Sequence, residues 1–251
     1  IGKMYTSADL AYYNQGDNLT YNIASSVDTS IESVLFPVMS SLQDDRAQVK
    51  NMTRRSIKTC TYIIAPVMMS IAFCAEPLVR LILTEKWLPC VLFLRVFCLG
   101  YACWPIITAN MNAAKAVGRS DLYLKCQLLN EGVCILLLLA TFRVSVEAIA
   151  YGMLITNVVT QILDAQLNKK LIGYGYLEQM RDILPTLLLA VGAGLCMYLV
   201  IFLHLPDLLT VIIQVVVGLG IYLTGSAILE LDTFEYFKDV LAPSIRQKLK
   251  R

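Results

Sequence analysis

Charged side chains are scarce in this sequence. They make up 16% of its 251 residues, whereas hydrophobic residues make up 57%. Soluble domains have about 25% and 45–50% respectively. One soluble core could not bury this much apolar surface, so lipid has to cover part of the chain. The composition excludes an ordinary soluble domain and predicts an all-α integral membrane protein.

The residue patterns of catalysis and metal binding are missing as well. The sequence contains no HExxH, GxSxG or P-loop motif and no GxGxxG in a strand–helix setting. Its only histidine is His204, and none of its eight cysteines forms a CxxC pair. We therefore expect no enzyme activity, no cofactor and no metal, and no nucleic-acid partner is expected either.

What the sequence does contain is a series of long apolar stretches. A helix needs roughly 20 mostly apolar residues to cross a bilayer. We predict seven transmembrane helices, over residues 18–41, 57–83, 88–113, 121–142, 145–167, 182–204 and 207–229. The predicted domains are an outer-side segment (1–17), a bundle of about five helices (18–180), a C-terminal helix pair (181–230) and a basic cytoplasmic tail (231–251). The last pair carries no charge from Ile183 to Leu203 or from Leu208 to Leu229, and it is expected to be peripheral.

The basic residues lie on alternate connections between these helices. Of the 21 Lys and Arg residues, 16 fall in the connections 43–58, 113–125 and 168–181 and in the tail. The opposite side has Lys3, Lys86 and Arg143. Because cytoplasmic loops carry an excess of Lys and Arg, the basic connections and the C-terminus are predicted to be cytoplasmic.

Polar residues inside the first predicted helix are the main candidates for function. Asp28 and Glu32 are spaced i,i+4 and share a face with Ser25, Thr29 and Ser33. A charge at the bilayer centre costs on the order of 3 kcal/mol on insertion scales. That cost is avoided if the face lines a water-filled cavity. The alternatives are a helix lying on the membrane surface, or pairing of the carboxylates with basic residues elsewhere.

Other polar residues fall within the later predicted helices. Arg80 is i,i+4 from Glu76, so the two form either a structural clamp or part of a functional site. Arg95 either attracts an anionic group such as a pyrophosphate or neutralises Asp28 or Glu32. The remaining candidates are uncharged or acidic and either line the cavity or hydrogen-bond between helices: Asn110, Glu131, Asn157 and Gln161.

Four stretches of the sequence resemble one family. They are residues 2–13 (GKMYTSADLAYY), 34–40 (VLFPVMS), 83–95 (LTEKWLP followed by FLR) and 116–122 (AVGRSDL). They resemble the lipopolysaccharide and exopolysaccharide flippases of the multidrug/oligosaccharidyl-lipid/polysaccharide exporter superfamily. The resemblance covers roughly residues 1–180, and the last two predicted helices match only in hydropathy.

The resemblance implies a fold and a function. Members have twelve or fourteen helices in two lobes of six around a central cavity. They move undecaprenyl-pyrophosphate-linked oligosaccharides to the outer leaflet of the bacterial cytoplasmic (inner) membrane by alternating access, coupled to an ion gradient. This chain, which begins mid-pattern at Ile1, would be the second lobe without its first helix, plus the extra pair. Its partners would be the missing N-terminal lobe, membrane lipid and the lipid-linked oligosaccharide.

The resemblance also suggests roles for the candidate residues. Arg95, with Arg80, would attract the pyrophosphate, and Asp28 and Glu32 would bind the coupling cation. Polar groups such as Asn110 and Asn157 would contact sugars.

Three other functions stay open at this point. A drug–cation antiporter of the same superfamily would favour acidic and aromatic cavity residues. A membrane glycan polymerase or ligase would need large outer loops, and the outer loops here are short. A purely structural membrane protein is opposed by the charges predicted at membrane depth.

Overall fold

The structure, a computed structural model, describes residues 5–42, 45–203, 205–235 and 238. These residues are helical throughout, with no strand among them. The helices are α1 (Ser7–Ser41), α2 (Arg46–Phe73), α3 (Ala75–Leu83), α4 (Cys90–Tyr101), α5 (Trp104–Ala116), α6 (Ser120–Thr141), α7 (Val146–Ile172), α8 (Tyr176–Leu199) and α9 (Asp207–Ile228), with 3-10 turns at Glu85–Trp87 and Val200–Leu203. His204 and nearly all of the predicted basic tail lie outside the described residues.

The first two helices begin well before the predicted positions of 18 and 57. Thr6 and Asp9 form a reciprocal capping box that starts α1. Asp45 accepts hydrogen bonds from Ala47 and Gln48 and so caps α2. Hydropathy detects only the apolar part of a helix, so it missed these polar first turns. Residues 7–17 therefore belong to α1, and most of the predicted connection 43–58 belongs to α2.

Two of the predicted helices are each broken into two. The stretch predicted as 57–83 breaks at Cys74, and the stretch predicted as 88–113 breaks between Tyr101 and Trp104. Each new helix carries a proline in its first turn, Pro77 in α3 and Pro105 in α5. Proline lacks the backbone N–H that is hydrogen-bonded in the interior of a helix. The N–H groups of a first turn have no partner within the helix, so a proline is tolerated there.

Within the described residues, six helical stretches are long and apolar enough to cross a membrane: α2, α4–α5, α6, α7, α8 with its 3-10 turn, and α9. The more polar α1 has 35 residues, which corresponds to about 52 Å. The prediction of a polytopic helical membrane bundle is confirmed.

The helices pack into one bundle, in which α2 contacts both α4 and α5. α1 packs on α4 and α5, and α6 packs on α7. α8 lies along α2, while α9 packs on α8 and α3. At one end of the bundle, Lys50 of α2 pairs with Glu178 of α8 at 3.0 Å, and Arg54 pairs with Asp182 at 2.5 Å. The first turns of α2 are thus fixed to the first turns of α8.

Close approach of α1 to α4 depends on Gly16. A Cβ atom at this position would lie 2.8 Å from the Phe93 Cβ and 2.9 Å from the Leu94 backbone nitrogen. Both distances are shorter than van der Waals contact, and a backbone atom cannot move aside.

We predict that Gly16→Ala destabilises the protein by about 1–3 kcal/mol, because the added methyl group forces α1 away from α4. The melting temperature in detergent, followed by size-exclusion chromatography, measures this. Gly132→Ala in α6 is the matched control, because a Cβ there meets nothing within 4 Å. Equal melting temperatures for the two variants would contradict this packing.

Candidate functional site

One side of α1 is polar, uncharged and exposed over about six helical turns. Successive residues of an α-helix are about 100° apart around its axis, and the exposed polar side chains of this side fall within an arc of about 160°. Hydrocarbon offers such groups no hydrogen-bonding partners, so this side meets water or another polar surface. We call it the α1 polar face and define it as Asn14, Asn18, Asn22, Ser26, Thr29, Ser30 and Ser33.

The hydroxyl groups of this face donate hydrogen bonds to their own helix. Ser26 donates to the Asn22 carbonyl at 2.7 Å, Thr29 to Ser25 at 2.8 Å and Ser30 to Ser26 at 2.7 Å. Their oxygen lone pairs therefore point outward as acceptors, while the Asn side chains add both donors and acceptors. The face can exchange hydrogen bonds with a polar ligand and carries no charge.

An aromatic cluster lies beside this face, where α4 ends and α5 begins. The Tyr21 ring centroid lies 5.6 Å from that of Trp104 and 6.2 Å from that of Tyr101. The Tyr101 hydroxyl donates to the Asp17 carboxylate at 2.7 Å. No sequence pattern considered above predicts this cluster. Two features of the sequence could have indicated the cluster. Asp17 and Tyr21 are spaced i,i+4, and Trp104 lies well inside an apolar stretch.

Asp28 lies outside the α1 polar face, and Glu32 lies at its edge, in line with Asn14. The predicted stripe is therefore exposed only in part. Asp28 is only 9% exposed. It faces α5, where Thr108 is close enough to interact with it, and Cys60 of α2 is close enough to interact electrostatically. Glu32 is half-buried and pairs with Lys115 of α5 at 3.8 Å. The pattern identified the shared side of α1 but could not show that α5 packs on it.

The Asp28 Oδ1 atom is buried and has no hydrogen-bond partner among the described residues. On α5, one turn beyond Thr108, both polar side-chain atoms of Asn112 are likewise buried without a partner in the described part of the chain. Buried polar groups are nearly always hydrogen-bonded. We therefore expect a proton, a cation or water to complete these positions.

The two candidate arginines lie away from the α1 polar face. Arg80 pairs with Glu76 at 3.0 Å, as the clamp alternative predicted, and lies 4.0 Å from Asp207 of α9. Arg95 donates from Nε to the Ala72 carbonyl at 3.2 Å. It has no carboxylate partner among the described residues, so it does not neutralise Asp28 or Glu32.

Arg95 instead lines an apolar cavity of 380 Å³ between α2, α4 and α8. The two residues before it in α4 explain this placement, because Phe93 and Leu94 face Gly16 of α1 and turn Arg95 away from it. The other lining residues are Met69, Ala72, Phe73, Leu99, Val191, Leu195 and Tyr198.

Asn110 is part of a buried amide network and is 1% exposed. Its amide donates to Gln179 of α8 at 2.9 Å, and its side-chain oxygen accepts from Asn168 of α7 at 2.9 Å and from Gln179 at 2.9 Å. The side-chain amides of three helices therefore bind each other, which matches the interhelical alternative. The sequence analysis did not single out Asn168 or Gln179.

The last three candidates do not converge on α1 either. Asn157 packs its amide against Gly100 of α4, and Gln161 is 4% exposed and lies beside Cys103. Glu131 is exposed on α6 and accepts a hydrogen bond from Gln127 at 3.2 Å. The predicted residues thus occupy several separate positions in the bundle.

Three comparisons relate this chain to known proteins. Residues 1–92 match the family described as "Polysaccharide biosynthesis protein". An "Uncharacterized membrane protein in cps region" of Klebsiella pneumoniae is 32% identical over 96 residues, which are 37% of this chain and 20% of that protein.

The fold is similar to that of "Lipid II flippase MurJ, inward closed conformation". The TM-score is 0.70 at 16% sequence identity, over 93% of this chain and 48% of that one. At this identity the likeness shows the fold alone. In both cases the match spans less than two thirds of the relative's length. Residues 1–92 are thus similar to a polysaccharide biosynthesis family, and the fold is similar to that of a flippase. Both similarities agree with the resemblance that the four sequence stretches carry.

Proposed function

We propose that this chain forms one half of a flippase that moves lipid-linked oligosaccharides across the bacterial cytoplasmic membrane for surface polysaccharide synthesis. The observation that carries the proposal is the α1 polar face. It is long, uncharged and exposed, and its hydroxyl and amide groups match the hydrogen-bonding groups of sugars. In the proposed assembly, this face lines the cavity between the two halves.

An uncharged face suits a substrate that has to move. Each neutral hydrogen bond contributes only about 0.5–1.5 kcal/mol net, so a glycan could exchange partners along the helix without being trapped. The flat rings of Tyr21 and Trp104 would pack against the apolar faces of the sugars. The substrate's pyrophosphate would need a cation, and Arg95 is the candidate because no carboxylate among the described residues neutralises it.

Asp28 is the candidate for ion coupling. Its carboxylate is buried against α5 with one oxygen unpaired in the described part of the chain. Binding and release of a proton or cation there would change the charge between α1 and α5, the helices that carry and support the polar face. Glu32 is less suited to this role because Lys115 already pairs with it.

The orientation follows from the basic end of the bundle. The ion pairs of Lys50 with Glu178 and of Lys58 with Asp232 bring the start of α2, the start of α8 and the segment after α9 together. The excess of Lys and Arg in these connections supports the proposal that this end of the bundle is cytoplasmic, and the C-terminus is proposed to be cytoplasmic as well.

A second function is favoured by the aromatic cluster. Tyr21, Tyr101 and Trp104 beside the Asp17 carboxylate would suit an organic cation. A drug–cation antiporter would use these groups rather than the α1 polar face.

Export complementation tests the proposal first. We expect the full-length gene to restore surface glycan in cells that lack their polysaccharide flippase. Asn22→Leu combined with Thr29→Val should lower this export about tenfold, since it removes two hydrogen-bonding groups from the polar face. The control is Thr224→Val in α9, because that exposed hydroxyl also donates to its own helix, at Gly220. No restoration of surface glycan by the well-expressed unmodified protein, together with increased drug resistance in expressing cells, would favour the antiporter. Normal export by the double variant would remove the α1 polar face from the transport path.

Ion coupling is tested at Asp28. Asp28→Asn keeps the shape and the Thr108 contact but removes the charge. We expect glycan export to fall to the level of cells without a flippase while the melting temperature of the purified protein is unchanged. Glu147→Gln, an exposed carboxylate in the first turn of α7, is the matched control. Full export by the Asp28 variant would remove this residue from coupling.

The role of Arg95 is tested by separating charge from packing. Arg95→Ala should lower export at least about tenfold, and Arg95→Lys should retain part of it, since a lysine keeps the charge but loses the bidentate geometry. Arg143→Ala, on the short turn after α6, serves as the control. If Arg95→Ala exports as well as Arg143→Ala at equal protein levels, the pyrophosphate is bound elsewhere.

A further inference from the structure

The facing sides of α1 and α5 hold several buried polar atoms that the hydrogen bonds of the bundle leave unpaired. Asp28 of α1 is 9% exposed, and its Oδ1 atom has no partner among the described residues. Asn112 of α5 is 0% exposed, and neither its Oδ1 nor its Nδ2 atom has a partner there. Thr108 lies one turn before Asn112 and is close enough to interact with Asp28. We call these three residues the α1–α5 site.

Two contacts fix the level of Asn112 relative to α1. Thr108 is beside Asp28, and further along both helices Lys115 pairs with Glu32 at 3.8 Å. The residue numbers increase in the same direction on both helices, so α1 and α5 run parallel and Asn112 lies between the two contacts. Thr108, Asn112 and Lys115 fall within about 60° of one another around α5, which is the side that meets α1.

The Asp28 carboxylate needs a balancing positive charge. No basic side chain among the described residues forms an ion pair with it. The titratable groups near it are Glu32, Lys115, which pairs with Glu32, and Cys60 of α2. A carboxylate that is buried in a membrane-spanning bundle without a counter-charge is strongly unfavourable. Either a proton or a cation therefore has to balance it.

The number of unpaired atoms favours a metal cation over a proton. A proton on the Asp28 Oδ1 atom makes one donor, which can reach the Asn112 Oδ1 atom but leaves the Nδ2 group without an acceptor. A metal cation binds both oxygens, and a water molecule on the same cation accepts from the Nδ2 group. Carboxylate, amide and hydroxyl oxygens are the ligands that hard cations prefer.

Charge and space select a small monovalent ion. The α1–α5 site contains one carboxylate, so a divalent cation would leave an excess of positive charge in a low-dielectric interior. Asp28 and Asn112 lie between two packed helices, and a smaller ion requires less separation of these helices. Na⁺ is smaller than K⁺ and is held more strongly by a carboxylate oxygen.

The α1 polar face provides a path to this site. Glu32 lies at the edge of that face, and Asp28 lies about 40° further around the helix. The side chains of Glu32 and Lys115 are 38% and 32% exposed. A cation that moves in from the polar face therefore passes the Glu32 carboxylate before it reaches Asp28.

We infer that the α1–α5 site binds sodium. The Asp28 carboxylate balances the charge of the ion, and the side-chain oxygens of Thr108 and Asn112 complete its protein ligands. The bound ion joins α1 to α5. This inference rests on the proposed function, since it names the ion for the coupling role of Asp28, but the binding itself is measured without a glycan.

Binding of radioactive sodium to the purified full-length protein tests the site. The protein is kept in detergent at mildly alkaline pH, where protons compete least, with choline as the background cation. We expect one saturable sodium site per chain, weaker binding of K⁺, and a melting temperature that rises over the same range of sodium concentration. Asp28→Asn should abolish saturable binding, because it removes the balancing charge. Asn112→Leu should weaken binding at least about tenfold, because it removes one of the ligands.

Gln214→Leu is the matched control for Asn112→Leu. Gln214 of α9 is equally buried and also has a side-chain atom without a partner in the described part of the chain. This variant should bind sodium as the unmodified protein does. The inference is overturned if either variant of the α1–α5 site binds sodium as well as this control.

Two further outcomes need only the unmodified protein, so poor folding of a variant does not prevent a decision. Absence of saturable sodium binding, or equal binding of K⁺, would overturn the inference. If Asp28→Asn also abolishes glycan export in that case, the proposed flippase is coupled to protons instead. Sodium binding by a protein that does not restore surface glycan would support the site and count against the transport function.

Discussion

Hydrocarbon provides no partner for a polar group, and this constraint determines how α1 is placed. The helix has too many polar side chains to be surrounded by lipid, and too many apolar ones to leave the bundle. Its packing on α4 and α5 satisfies both requirements. Gly16 lets the backbone approach Phe93 closely, and the opposite side presents Asn22, Thr29 and their neighbours. Because one side of α1 packs closely on α4 and α5, the polar side is left exposed.

The same constraint explains the two kinds of buried polar residue. Asn110, Asn168 and Gln179 hydrogen-bond to one another, so they join three helices without leaving the membrane-spanning part of the bundle. Such contacts contribute on the order of 1 kcal/mol each inside a membrane. Asp28 and Asn112 differ because they keep unpaired atoms within the described structure. The amide network leaves only the Asn168 Oδ1 atom without a partner among the described residues, whereas Asn112 has both of its polar side-chain atoms unpaired there. Asp28 and Asn112, on the facing sides of α1 and α5, therefore have room for an exchangeable proton, ion or water molecule.

Much of the fold could be predicted from the sequence, since α6 and α9 lie almost where hydropathy placed them. Hydropathy failed where a helix continues into water, as at the start of α2, and where a proline permits a break, as at Pro105. The site was harder to predict. Helical spacing shows which residues share a side of one helix, but not which neighbour that side meets. Asp28 and Arg95 were therefore expected in one cavity, although α5 covers the first and α8 lies beside the second.

For the transport role proposed for the α1 polar face, the distribution of charge favours a sugar over a cation. A site for an organic cation needs a carboxylate that stays available, but Asp28 is buried, Glu32 has Lys115, and Asp17 accepts from Tyr101. The exposed groups are amides and hydroxyls, and the hydroxyl protons are already donated to the helix. Such a face binds many weak partners about equally well. That property suits a glycan, which presents similar hydroxyl groups along its whole length and has to move past the helix rather than remain on it.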